Sequence, residues 1–176
     1  WMAKLTPPEY EASHVLREGK GFCVQKAVLL CALGRAAAIP TALVLSDLRD
    51  ATLPEELRRA LGTDVMAHHG FSAFFLDGRW LDVDATLSPG LVEKGGYRQV
   101  VFDGTSFALL ARTTIAGASH AEYLAIHGRY ADLPFQQMMS AFLEAYKGAD
   151  LLALAALGYS LDGAEALESI LSTVKD

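Results

Sequence analysis

The spacing of apolar residues changes period several times along this chain, and each change marks an element. From Pro8 to Glu18, Tyr10, Ala12, Val15 and Leu16 recur at helical spacing behind Pro7 and Pro8, which suit a helix start. From Phe22 to Ala38 the chain is apolar nearly all round, which predicts a central buried helix. Ile39-Pro40 ends it, because proline disfavours helix in the residue before it. Gln25, Lys26 and Arg35 are its few polar groups and need partners or exits.

Thr41 to Ser46 is a short apolar run that predicts a buried strand, followed by a polar connection from Asp47 to Thr52. Pro54 to Leu61 reads as a small helix, acidic first and basic later, with Gly62 as its stop. His69 to Leu76 and Arg79 to Thr86 are strand patterns flanking Asp77-Gly78, a preferred two-residue hairpin turn. Pro89 to Gly96 reads as a loop, and Tyr97 to Asp103 with Ser106 to Leu110 as a further strand pair around Gly104. After Gly117 the pattern predicts helices over His120 to His127 and Leu133 to Tyr146. Asp150 to Val174 reads as two more, broken at Gly158 and Leu161-Asp162-Gly163.

Composition narrows the class. The chain has 176 residues, enough for one domain with a real core, and its 52% hydrophobic content excludes a disordered polymer. A net charge of -6 argues against nucleic acid or an anionic membrane as partner. No apolar run is long enough to span a bilayer, and no signal region precedes the first helix. The opening Trp1 reads as a trimmed terminus. Cys23 and Cys31, eight residues apart on one helix, are separated by about 12 Å, too far for a disulfide. These thiols predict a reduced, cytoplasmic protein.

Cys23 stands in the first turn of the central helix, where unpaired backbone N–H groups and the helix dipole favour an anion. That is the setting of a nucleophilic thiolate. Cys31, mid-helix among apolar neighbours, reads as packing. The hairpin register sorts candidate partners. A turn at Asp77-Gly78 pairs Phe75 with Trp80, Ala73 with Asp82, Phe71 with Asp84 and His69 with Thr86. His69 and Asp84 then share one side as diagonal neighbours, while His68 points the other way, toward a rim or the surface. Thiol, imidazole and carboxylate together suit acyl transfer: attack, proton shuttling and orientation of the base.

Elsewhere the bland readings prevail. His120 and His127 share a helix face, but a metal would need more converging ligands. Lys26, one turn beyond Cys23, reads as a lysine that snorkels to solvent. Phe71, Phe75 and Trp80 read as core.

Gly21-Phe22-Cys23-Val24-Gln25-Lys26-Ala27 with Gly34-Arg35-Ala36-Ala37-Ala38-Ile39-Pro40 resembles the core helix and following strand of the transglutaminase-like superfamily. His69-Gly70-Phe71, then Leu76-Asp77-Gly78-Arg79-Trp80-Leu81-Asp82-Val83-Asp84, is similar to that family's next motifs, in the same order. His120-Ala121-Glu122-Tyr123 and Ala131-Asp132-Leu133-Pro134-Phe135 resemble the tail of a bacterial branch. The resemblance implies a papain-like α+β fold, a nucleophile helix packed on an antiparallel sheet, over residues 1–148. Residues 149–176 would then be a C-terminal helical extension. It further implies Cys23 as nucleophile, His69 as general base and Asp84 as orienting carboxylate. The segment before Cys23 is shorter than the family usually carries. The Cys23 N–H is the sole oxyanion donor assigned, Trp1 lying too far from any motif.

The expected function is cysteine-dependent acyl transfer or hydrolysis at an amide or thioester, with no metal or organic cofactor. Its partner is an acyl donor: a peptide, a protein or a thioester. Two alternatives stand beside it. One is a non-catalytic protein- or peptide-binding module on the same fold. The other is a biosynthetic amide-forming acyltransferase fed by carrier-protein thioesters.

Overall fold

The computed structural model describes residues 6–157. Trp1 and the helices expected beyond Gly158 lie outside the described residues. The first helical pattern is interrupted: a 3-10 turn, Pro7–Tyr10, gives way at Glu11 to α1, Ala12–Glu18. The apolar helix forms as α2, Cys23–Ala36, and opens with the Phe22 N–H donating to Gln25 Oε1 at 3.2 Å. Gln25 Nε2 donates back to the Glu9 carbonyl at 2.7 Å, which answers the question of how a buried glutamine is satisfied.

A four-stranded antiparallel sheet follows, from β1 (Thr41–Asp50), β2 (Val65–Leu76), β3 (Arg79–Val83) and β4 (Ala121–Tyr130), in the order β3-β2-β1-β4. Helix α3, Glu55–Leu61, bridges β1 and β2. Alternation along β1 divides its side chains between two clusters. Leu43 and Leu45 pack with Val24, Ala27 and Cys31 of α2 and with Met138, Met139 and Phe142 of α5, Phe135–Ala145. Ala42 and Val44 pack with Phe71 and Ala73 of β2 on the other side. This α+β arrangement of a central helix on an antiparallel sheet is the one expected.

The sheet is curled. Its outer strands meet across the side occupied by Ala42, Val44 and Ala73: Arg129 of β4 donates to both oxygens of Asp82 of β3, at 2.8 and 3.0 Å. Small side chains on that side leave room for the edges to approach.

Several expectations are corrected. β1 runs on through Asp47 to Asp50, because β4 pairs with that stretch and completes its ladder. The expected helix over His120 to His127 is mostly β4: helical composition yields to the unpaired edge of β1. Tyr97 to Leu110 forms no strand pair; it is irregular chain with an isolated bridge from Ala108 to Val83, and Asp103 Oδ1 accepts the N–H groups of Thr105 and Ser106 in a turn. The expected loop at Pro89 contains a short helix, α4, Pro89–Gly95, with proline at its start. Phe75 and Trp80, expected in the core, pack against each other at a tilt of 57° at the hairpin end and are each 37% exposed. The last helix, α6, spans Leu151–Ala156.

Candidate active site

Cys23 is the first residue of α2 and is only partly exposed. What brings it to β2 is a glycine. A Cβ on Gly70 would lie 2.8 Å from Val24 Cα, so the strand and the first turn of the helix touch backbone to backbone. Two further bonds fasten the helix along the sheet. Ser72 Oγ donates to the Ala27 carbonyl at 3.1 Å and Thr41 Oγ1 to the Cys31 carbonyl at 2.9 Å.

The hairpin has the expected register from Leu76↔Arg79 to Ser72↔Val83, about a turn with Asp77 and Gly78 both at positive φ. The ladder ends there, so Phe71 and Asp84 are not a ladder pair. Asp84 instead donates its N–H to the Ala108 carbonyl at 2.8 Å. Its carboxylate still reaches the expected histidine: His69 Nε2–H donates to Asp84 Oδ2 at 2.6 Å. Cys23, at the start of α2, is close enough to interact with the His69 imidazole. With Nε2 committed to Asp84, Nδ1 is the nitrogen left for the thiol.

Asp84 is 0% exposed, and both of its carboxylate oxygens accept hydrogen bonds. Thr86 Oγ1 donates to Oδ1 at 2.5 Å, while Tyr123 Oη donates to Oδ2 at 2.6 Å beside His69. Burial alone would raise the Asp84 carboxyl, but His69 and these hydroxyls outweigh it and hold it below the usual carboxylate value. His69 shows the mirror case. Burial would lower it, yet the Asp84 charge and hydrogen bond, with a further contribution from Cys23, carry it well above the ordinary histidine value.

Three neighbours add to the site what the sequence reading missed. Lys26 does not snorkel: its Nζ donates to the Thr86 carbonyl at 2.7 Å, tying the Cys23 helix to the residue that braces Asp84. Burial lowers the Lys26 ammonium, against the raising effect of Cys23. Thr86 was placed on the right side by the hairpin register, but nothing in the sequence signalled its bond to a residue two positions back. Tyr123 was hidden inside a mistaken helix.

His68 lies 7% exposed, not at the surface. Bulges in β2 and β4 flank Ser46 and Asp47 of β1, and His68 sits in one of them at φ 50°. His127 Nε2 and the His68 backbone N–H both donate to Asp47 Oδ1, at 2.8 and 3.1 Å. Burial lowers His68, helped by His127 and opposed by Asp47. Ligand atoms of Asp47, His68 and His127 lie within 4.8 Å of one another. The two rings, however, stack at 4.2 Å and 20°, which aims their in-plane lone pairs side by side rather than at a common ion. His120 goes elsewhere and stacks on Tyr97 at 4.2 Å and 8°.

A helix-start thiol, a buried imidazole and a braced carboxylate, in this chain order, are now in one place. A sequence model of the transglutaminase-like superfamily matches residues 2–85. Those residues belong to the transglutaminase-like superfamily. No curated protein and no solved structure matches the chain. The superfamily match contains Cys23, His69 and Asp84 and stops short of Thr86 and Tyr123. Membership suggests cysteine-based catalysis as the general chemistry. Among the described residues, no helix is long and apolar enough to cross a membrane.

Proposed function

We propose that this protein is a cysteine-dependent acyl-transfer enzyme in which Cys23 is the nucleophile, His69 the proton shuttle and Asp84 the group that orients it. The observation that carries this reading is the engagement of His69: Asp84 accepts from one ring nitrogen at 2.6 Å, and Cys23 interacts with the same imidazole. An imidazole so held is fixed in tautomer and aim, and the Asp84 carboxylate favours its charged form.

The Cys23 sulfur attacks the carbonyl carbon of an amide or thioester. A C–S bond forms, and the carbonyl π electrons move onto oxygen, facing the Cys23 N–H in the first turn of α2, where N–H groups have no intrahelical acceptor. The tetrahedral intermediate collapses, the bond to the leaving group breaks, and His69 gives its proton to that amine or thiol. Water or an amine then attacks the thioester, His69 takes up its proton, and the Cys23 thiolate departs. The acyl donor is a peptide, a protein or a small thioester, and the group that resolves the acyl-enzyme decides between hydrolysis and amide formation.

The test compares the two thiols of the native protein. Iodoacetamide at neutral pH is expected to modify Cys23 at least about tenfold faster than Cys31, which is 3% exposed and whose thiol burial pushes up. Because exposure favours the same order, the deciding comparison is the His69→Gln variant: Cys23 should slow markedly there. Incubation with a panel of acyl thioesters should add one acyl mass to Cys23 in the wild type. Equal alkylation in wild type and variant, together with no adduct, would remove the enzyme reading.

A further inference from the structure

We propose that Tyr123 is a positioning residue of this site, whose hydroxyl shares the Asp84 oxygen that receives His69 and thereby limits how tightly Asp84 holds the His69 proton. The proposal rests on the acyl-transfer reading for its purpose, but its evidence is geometric and lies outside the segment that matches the superfamily.

Tyr123 is on β4, at the opposite edge of the sheet from β3, the strand that leads into Asp84. Curling of the sheet brings the two together, and Tyr123 Oη donates to Asp84 Oδ2 at 2.6 Å. His69 Nε2 donates to the same atom at the same distance. The phenol is itself held. Its oxygen accepts the Leu110 N–H at 3.2 Å, and its ring packs edge-on to Phe71 at 5.6 Å. Burial and the Asp84 charge both raise the Tyr123 hydroxyl, so it remains a donor throughout the neutral range.

Two donors on one carboxylate oxygen compete for its charge. A hydrogen bond to the anion stabilises it and leaves less of its field for the neighbouring imidazole. The charged and polar groups that bear on the pair come from four places. Cys23 acts on His69 from α2, and Thr86 braces the second Asp84 oxygen from the segment after β3. Tyr123 reaches it from β4, and Asp82 acts on Tyr123 at longer range. Thr86 and the Asp84 N–H bond to Ala108 keep the carboxylate in place when the phenol is removed. The loss of Tyr123 is therefore felt at His69 as a stronger anion, not as a wandering one.

The alternative is that Tyr123 only anchors the chain at Leu110 and fills space beside Phe71. The His69 proton distinguishes the two. His69 imidazole resonances, assigned with His69→Gln, are followed by NMR against pH in wild type and Tyr123→Phe. The midpoint should rise by about half a pH unit or more in Tyr123→Phe. Site-specific 3,5-difluorotyrosine at position 123 keeps the ring and strengthens the donor, and should move the midpoint down. A folded Tyr123→Phe protein with an unchanged or lowered His69 midpoint overturns the proposal, whatever its melting temperature. If Tyr123→Phe does not fold, the fluorinated protein decides, and an unmoved or raised midpoint there overturns it. These readouts need no substrate, so an absent acyl adduct would sink the enzyme reading without touching this result.

Discussion

His69 Nε2 lies 2.6 Å from Asp84 Oδ2, and Asp84 has no exposed surface. A carboxylate kept from water beside an imidazole exerts its field with little screening. In Asp84→Asn that field is gone while the burial of His69 remains. The His69 midpoint should then fall from well above the ordinary histidine value to below it, and Cys23 alkylation at neutral pH should slow with it. An NMR titration of the imidazole and a timed alkylation measure the two effects.

Stability should follow the same pair. His69 is raised in the folded state, so its contribution is complete below the unfolded value of about 6.5 and is lost as pH climbs through the folded value. Asp84 is lowered, so its contribution is present above about 3.8 and is lost as pH falls through the folded value. Melting temperature should therefore decline on the alkaline side in wild type. The decline should be shallower in His69→Gln, as followed by circular dichroism between about pH 6 and 10.

Thr86→Val removes the hydroxyl that donates to Asp84 Oδ1 at 2.5 Å and leaves that buried oxygen unpaired. A cost of about 1–3 kcal/mol in urea unfolding is expected. With less stabilisation of its charge, Asp84 is lowered less, so the acid loss of stability should begin at higher pH than in wild type.

Gly70→Ala places a methyl group 2.8 Å from Val24 Cα, a backbone atom that cannot swing aside. The start of α2 must lift from β2. About 1–3 kcal/mol of stability should be lost, and Cys23 should respond in its alkylation rate while Cys31 stays protected. Gly62→Ala, where no atom lies within 4 Å of the added Cβ, strains only the local backbone, which sits at φ 74°, and should leave the Cys23 rate unchanged.

How much of this was legible beforehand differs from residue to residue. The apolar run into α2, the strand after it and the Asp77-Gly78 hairpin were readable because each depends on neighbours within a few residues. The choice of His69 over His68, and the reach to Asp84, followed from period-two alternation about a turn of known length. It survived the early end of the ladder because Ala108 takes over the Asp84 backbone. The burial of His68 was not legible, since it depends on a bulge opposite Asp47 that no local pattern announces.

The amino-acid sequence by itself determined a helix that begins with a thiol, a hairpin that aligns an imidazole with a carboxylate, and the superfamily to which they belong. Only the tertiary structure decided that Ala121–Tyr130 is a strand, that the sheet curls until β4 meets β3, and that Tyr123, Thr86 and Lys26 close around Asp84. The reason lies in where the partners are. A turn or a helix start satisfies its backbone locally, whereas the unpaired edge of β1 is completed by β4, and Asp84 Oδ2 by His69 and Tyr123, 15 and 39 residues away. The Ala, Glu and Leu residues around Tyr123 favoured a helix, and the long-range pairing outweighed them.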